Sequence, residues 1–202
     1  MNETTSYAIG WQTGQSFVQQ NVDVDQDSLI QGLKDAIEGA DAKFTDEDMM
    51  AALQQLQKDM MERQQAQAAE QAGTNAAAAT EFFASNGARD GVTTTASGLQ
   101  YEILTAADGA KPGATDTVSV HYRGTLLDGS EFDSSYARNA PATFPLNRVI
   151  AGWTEGLQLM SVGSKYKFFV PATLGYGAQG SPPKIGPGAA LVFEVELLEI
   201  QN

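Results

Sequence analysis

The chain is predicted to be α+β: an all-helical N-terminal part with a long connecting helix, then a curved antiparallel sheet wrapped on one short helix. Three observations predict this. Residues 1 to about 90 contain no proline and are rich in Gln, Ala, Met and Asp, while all seven prolines lie after residue 110. Apolar residues recur at helical spacing in the first half and alternate in the second. The composition shifts at Ser85-Asn86-Gly87-Ala88-Arg89-Asp90-Gly91, a hinge-like stretch, which divides the chain into 1–90 and 91–202.

The first helix is expected from about Ser6 to Gln20, with Ile9, Phe17 and Val18 on its apolar side. Gly10 and Gly14, four apart on one face, either let another backbone come close or simply weaken the helix. The second follows Asp27 or Ser28, carries Leu29, Ile30, Leu33 and Ile37, and stops near Gly39. The third is the longest, from Thr45 to Ala84, about 60 Å at 1.5 Å per residue. Thr45 and Asp48 have the spacing of a capping box, and Phe44 with Met49 that of a hydrophobic staple. Met49, Leu53, Leu56 and Met60 form an apolar stripe, and beyond Arg63 the helix reads as polar all round. Gly73-Thr74-Asn75 is the one place where a kink or break is expected. Two short helices and one long one cannot bury their own apolar faces as a monomer. A homodimer through residues 1–60, with the methionines in its core, is therefore expected.

In the second half Val118, Val120 and Tyr122 share one face of a strand over Thr117 to Arg123, and Asp128-Gly129 is a hairpin signal. Lys165 to Val170 and Leu191 to Ile200 supply further strands. In the last, Leu191, Phe193, Val195 and Leu197 point inward while Glu194 and Glu196 face water. Arg148 to Leu159, with Trp153 and Leu157 four apart, is the one helix expected there, covering the concave face of the sheet.

Composition limits the chemistry. A formal net charge of -13 opposes nucleic-acid binding, which needs clustered Lys and Arg. With no cysteine, disulfides, thiolate catalysis and sulfur-ligated metals are excluded. No apolar run approaches the roughly 20 residues that span a bilayer, so no membrane insertion is expected. Met1 to Tyr7 has neither the basic nor the apolar region of a signal peptide. A cytoplasmic location is expected on that basis, or a periplasmic one if a leader has been removed.

On the expected sheet, Tyr122, Phe132, Trp153, Tyr176 and Phe193 converge on one hollow, with Asp133 and the backbone of Val149-Ile150 at its rim. The hollow offers aromatics, one carboxylate and almost nothing to act as nucleophile, base or metal ligand. Neither cofactor nor metal is expected. His121, the single histidine, is turned away from Tyr122 by strand alternation and reads as structural. Asp133 can also serve as a turn cap.

Five pieces in this order closely resemble the FKBP family of macrolide-binding peptidyl-prolyl isomerases. They are Val120-His121-Tyr122, Gly129 through Phe132-Asp133-Ser134-Ser135, Val149-Ile150-Ala151-Gly152-Trp153, Gly175-Tyr176-Gly177, and Leu191 through Phe193 to Leu197. The resemblance covers residues 96 to 201. Ser6-Tyr7-Ala8-Ile9-Gly10 and Ser97-Gly98-Leu99-Gln100-Tyr101 further resemble the bacterial macrophage-infectivity-potentiator-like branch, whose helical N-terminal region dimerises.

The resemblance implies a role for each position. Trp153 forms the floor under the proline ring, Tyr122, Phe132 and Phe193 the walls, with Phe144 and Val149 adding apolar surface. The Ile150 backbone N–H and the Tyr176 hydroxyl bond substrate carbonyls. Asp133 is the polar group near the twisting amide, so Asp133, Tyr176 and Tyr122 are the catalytic candidates. Ile185 belongs to the flap loop before the last strand. The implied activity is cofactor-independent X-Pro isomerisation in unfolded or partly folded proteins, with chaperone-like binding by a dimer and macrolides as inhibitors. The alternative is a non-catalytic chaperone or apolar ligand-binding module of the same fold. Ala142, the short loop between Phe144 and Val149, and the tip Gly180-Ser181-Pro182-Pro183-Lys184 depart from the small single-domain members and bear on substrate preference and macrolide affinity.

The physics agrees. Amide resonance sets a barrier of about 18–20 kcal/mol to rotation. The planar amide is more dipolar than the twisted one, so a dry aromatic pocket disfavours the ground state relative to the transition state.

Overall fold

The structure, a computed structural model, describes residues 2–201. Its contacts divide the chain between Met60 and Met61 into two compact units.

The first unit holds α1 (Glu3–Gln19), α2 (Gln26–Glu38) and the start of α3 (Asp46–Gly87). Both short helices begin earlier than the sequence suggests because their caps lie upstream. Asn2 Oδ1 accepts from the Thr5 N–H at 2.9 Å, and Asp25 Oδ1 from the Ser28 N–H at 2.7 Å. Gly39, at φ 71°, ends α2 in the left-handed conformation that glycine adopts freely. Thr45 caps α3 as expected: its Oγ1 accepts from the Asp48 N–H at 3.1 Å and donates to the Asp48 carboxylate at 2.7 Å. The helix runs without interruption through Gly73-Thr74-Asn75, so the break expected there does not occur. None of the described helices is long and apolar enough to cross a membrane.

The second unit contains the rest of α3, which is not polar all round. Ala68, Ala72, Asn75, Ala79, Phe82 and Asn86 recur every three or four residues and are all at least half-buried. Asn75 Nδ2 donates to the Pro187 carbonyl at 2.8 Å, Phe82 packs on Phe169 with ring centroids 5.6 Å apart, and Asn86 Nδ2 donates to Gln100 Oε1 at 2.8 Å. These contacts carry the end of α3 into the sheet unit, which is why the division falls earlier than residue 90. The stripe escapes a hydropathy reading because it is built from alanine and asparagine.

The sheet has seven strands among the described residues: β1 (Val92–Thr94), β2 (Gln100–Thr105), β3 (Thr117–Leu126), β4 (Glu131–Ser134), β5 (Ala142–Pro145), β6 (Lys165–Val170) and β7 (Leu191–Gln201). It is antiparallel, in the order β1-β2-β6-β7-β3-β4, with β5 also paired to β3. The long central pair sets Tyr122 opposite Val195 and Gly124 opposite Phe193. Inward side chains such as Val118, Val120, Val195 and Leu197 are fully buried. Glu194 on the other face pairs with Lys165 at 3.8 Å and Lys167 at 3.4 Å.

The helix that covers the concave face is α4 (Ala151–Leu159), preceded by a 3₁₀ turn over Leu146–Arg148 rather than one helix from Arg148. It lies close on the sheet because two of its residues lack side chains. A Cβ on Gly152 would stand 2.6 Å from Val170 Cγ1, and one on Gly156 would stand 2.7 Å from Phe168 Cε1. By contrast, outside its own helix backbone and chain neighbours, no atom of the described residues comes within 4 Å of a Cβ on Gly10, Gly14 or Gly73.

Helical glycines should therefore respond oppositely to alanine. Gly73→Ala is expected to stabilise by about 0.5–1 kcal/mol through helix propensity alone. Gly156→Ala is expected to destabilise by about 1–3 kcal/mol by overpacking against Phe168. Urea unfolding midpoints of the two variants against the parent check both signs.

Candidate functional site

Above α4 the sheet and its loops enclose a hollow of about 420 Å³, lined by Tyr122, Phe132, Asp133, Phe144, Arg148, Val149, Ile150, Trp153, Tyr176 and Phe193. Trp153 is its floor. The indole is 5% exposed and meets three rings edge to face: Tyr122 at 5.1 Å, Phe193 at 5.2 Å and Phe144 at 5.6 Å between centroids. Such contacts contribute roughly 0.5–1.5 kcal/mol each beyond burial. Packing holds this floor rather than hydrogen bonding, because the indole N–H is buried without an acceptor among the described residues. Phe132 stands edge to face with Phe193 at 5.5 Å, and both crowd over Gly124. A Cβ on Gly124 would lie 2.6 Å from Phe132 Cζ and 2.9 Å from Phe193 Cε1, so this strand position admits glycine alone if the wall is to keep its shape.

The rim is built from backbone as much as side chain. Val149 and Ile150 link the 3₁₀ turn to α4, and the Thr154 hydroxyl fixes the link by donating to the Leu146 carbonyl at 2.6 Å. The Ile150 carbonyl accepts from Trp153 and Thr154, while the Ile150 N–H has no backbone partner among the described residues. Tyr176 stands between Gly175 and Gly177, the latter at φ 62°, and is 41% exposed. Its hydroxyl makes no hydrogen bond among the described residues. Two unpaired donors thus face the mouth of an apolar hollow.

Asp133 is more constrained than its sequence position suggests. The Tyr122 hydroxyl donates to its carboxylate, and Arg138 forms an ion pair with the other oxygen. Arg138 Nη2 also donates to the Tyr122 hydroxyl oxygen at 2.9 Å, and the guanidinium lies 5.6 Å from the Tyr122 ring centroid. Partial burial acts to raise the Asp133 pKa, but the Tyr122 hydrogen bond and the Arg138 contacts outweigh it and hold the carboxyl below its ordinary range. Burial, then the hydrogen bond to Asp133, pushes the Tyr122 phenol up, so it stays protonated and a donor. Ser135, fully buried, fixes the tyrosine backbone: its Oγ accepts from the Tyr122 N–H at 2.8 Å. His121 Nδ1 lies 2.9 Å from the same hydroxyl and the ring stacks on Tyr136 at 4.8 Å, outside the hollow, in keeping with a structural histidine.

Nine of the ten residues anticipated from sequence line this hollow; Ile185 does not. It is 4% exposed and packs into the core, beside a second cleft shared with Gln71 and Asn75 of α3. The loop around it closes on itself through paired Ser181 and Ile185 backbones, at 2.8 and 3.1 Å, which turns the side chain inward. Sequence reading missed Arg138 and Arg148. Arg138 had a signal: a half-buried acid requires a cation, and Arg138 is the one Lys or Arg between Arg123 and Arg148.

Two family models match the chain: the FKBP-type peptidyl-prolyl cis-trans isomerase over residues 109–198, and the domain amino terminal to it over residues 2–103. The FKBP-type isomerase FkpA of Aeromonas hydrophila is 46% identical over 207 residues, covering 99% of this chain and 76% of the relative. The chain belongs to the FKBP-type peptidyl-prolyl cis-trans isomerases. The outer membrane protein MIP of Legionella longbeachae is 42% identical over 197 residues, 98% of this chain and 84% of that one. The crystal structure of FkpA from Escherichia coli superposes with a TM-score of 0.79 at 37% identity, covering 99% of this chain and 97% of that chain. The match to the branch with an N-terminal helical domain therefore extends over almost the full chain, and the protein is an FKBP-type isomerase acting on proline-containing substrates. The non-catalytic alternative gives way to this reading.

The depressed Asp133 pKa has a testable consequence. A carboxyl whose folded pKa lies below its unfolded value of about 3.9 stabilises the fold above that value and loses the contribution as pH falls through the folded pKa. Asp133→Asn should therefore be less stable than the parent at neutral pH by a margin that stays level down to about pH 5 and closes below about pH 4. Urea midpoints measured across that range check it; a margin independent of pH would contradict it.

Proposed function

We propose that the chain works as a homodimer through residues 1–60, presenting two isomerase units to unfolded or partly folded proteins and holding them chaperone-like while X-Pro bonds isomerise. The observation that carries this reading is the apolar surface of the helical unit. Neither α1 nor α2 buries a single residue. Leu33 is 61% exposed, Leu53 65% and Ile37 76%. Burying one such side chain contributes roughly 1.5–3 kcal/mol, so several of them left in water strongly favour association. A groove of about 1060 Å³ lined by Tyr7, Gly10, Trp11, Gly14, Phe17, Val18 and Leu29 gives a second copy a place to lie. Gly10 and Gly14 open onto that groove, which supports their role in close helix approach. Two weak sites on one carrier gain effective concentration toward a flexible chain.

Within each hollow the proline ring is read as resting on Trp153 between Tyr122, Phe132 and Phe193, with Phe144 and Val149 completing the apolar lining. The Ile150 N–H and the Tyr176 hydroxyl take substrate carbonyls. Asp133, held ionised by Arg138, and the Tyr122 hydroxyl give a fixed dipole beside the twisting amide. The same pocket shape suits a macrolide, whose apolar ring and carbonyls present similar groups. On this reading Ile185 supports the loop from below rather than touching substrate.

Sedimentation at micromolar concentration should show a species of two chains, and Leu33→Asp should shift it toward one. The monomerised variant should keep its activity on a short X-Pro peptide and lose acceleration of a proline-limited refolding protein. A parent that sediments as a single chain overturns the dimer.

A further inference from the structure

We propose that Arg148 makes this isomerase select proline segments that carry a carboxylate on a residue adjoining the proline. The inference deepens the reading of the hollow and rests on it. The starting point is where the cations are. The chain has 12 Lys and Arg against 25 Asp and Glu. In the sheet unit most are engaged: Arg89 with Glu102 at 3.3 Å, Arg123 with Glu131 at 2.7 Å, Arg138 with Asp133, and Lys165 and Lys167 with Glu194.

Lys111, Arg148 and Lys184 have no ion pair among the described residues, and of the three Arg148 alone lines the hollow. Arg148 is exposed and makes no ion pair or hydrogen bond among the described residues. Its backbone is nevertheless fixed. It closes the 3₁₀ turn over Leu146–Arg148, in which Leu146 is fully buried and its N–H donates to the Asp116 carbonyl at 2.9 Å. A fixed backbone and a guanidinium without a partner among the described residues describe a group available to a ligand.

The charge balance at the mouth points the same way. Asp133 is the one carboxylate lining the hollow, and Arg138 already neutralises it. Lys184 lines the neighbouring cleft instead, its Nζ donating to the Phe132 carbonyl at 2.7 Å. With Asp133 neutralised, Arg148 alone gives the lining a positive charge on a chain of formal net charge -13. Arg148 is two residues before Ile150, whose free N–H faces the hollow. A substrate carbonyl held on that N–H brings the side chains next to the proline within the reach of Arg148. A guanidinium pairs well with a planar carboxylate there, where solvent is partly excluded. Long-range repulsion from the acidic chain works against the encounter, so the selection acts only at contact.

The test uses the full chain and protease-free exchange NMR on short peptides that differ only at the residue before or after proline, set to Glu, Gln or Lys. The parent should isomerise a Glu peptide with kcat/KM about threefold above its Gln counterpart, the scale of a partly exposed ion pair. The ratio should fall toward one at high salt and in Arg148→Gln, and Arg148→Glu should favour Lys instead. Because the readout is a ratio within one preparation, loss of active protein cancels. A parent that treats Glu and Gln alike at both positions, or a Glu preference that survives Arg148→Glu, overturns the role of Arg148 alone. A parent that accelerates none of the peptides overturns the reading of the hollow and this inference with it.

Discussion

The closeness of α4 to the sheet is the constraint on which the site depends. Gly152 and Gly156 remove the side chains that would hold the helix off Val170 and Phe168. The helix therefore sits low enough for Trp153 to lie among Tyr122, Phe144 and Phe193 as a floor rather than protrude as a plug. Raising the helix by the thickness of a methyl group would tilt the indole and break three edge-to-face contacts at once, since packed interiors yield little. Gly124 plays the matching part on the sheet, where its missing side chain makes room for the Phe132–Phe193 pair. The hollow is made by omission at three positions and lined by aromatics at six.

What this architecture offers the substrate is an environment. Every polar group of the lining is either already committed or a simple donor. Asp133 is bound by Tyr122 and Arg138, which keeps it ionised and takes it out of contention as a proton shuttle. The Ile150 N–H and the Tyr176 hydroxyl, both without a hydrogen-bond partner among the described residues, are the donors proposed to hold substrate carbonyls. A dry wall disfavours the dipolar planar amide, and fixed donors favour the twisted shape. Preorganisation supplies what a nucleophile would supply elsewhere.

Much of this was legible in the chain itself, and the gaps have physical causes. Alternation at Val118, Val120 and Tyr122 and at Leu191, Phe193 and Val195 fixed which residues face inward, because side-chain period in a strand leaves no choice. The caps of α1 and α2 were misplaced by a few residues, since Asn2 and Asp25 compete with nearby Ser and Asp that would serve equally well. The packing face of the second half of α3 was invisible, because its stripe of Ala72, Asn75 and Ala79 carries almost no hydropathy contrast and gains its meaning from Pro187 and Gly188 far along the chain. Ile185 was assigned to the hollow by its place in the flap, whereas the closed Ser181–Ile185 loop turns it to the core. Glycine spacing drew attention to Gly10 and Gly14, while the pair that governs the site is Gly152 and Gly156, a distinction only contact distances make. Arg138 and Arg148 were passed over because a single cation in sequence has no direction until the backbone supplies one.

On the proposed reading, the hollow lowers the barrier by desolvation and fixed hydrogen bonds, with no proton transferred in the rate-limiting step. The solvent deuterium isotope effect on kcat/KM for an X-Pro peptide, measured by exchange NMR on the full chain across neutral pH, tests it most directly. An effect near unity and no inflection with pH are expected. A large normal isotope effect, or a rate that follows the titration of one group, would contradict it and return Asp133 or Tyr176 to the role of an acid or base.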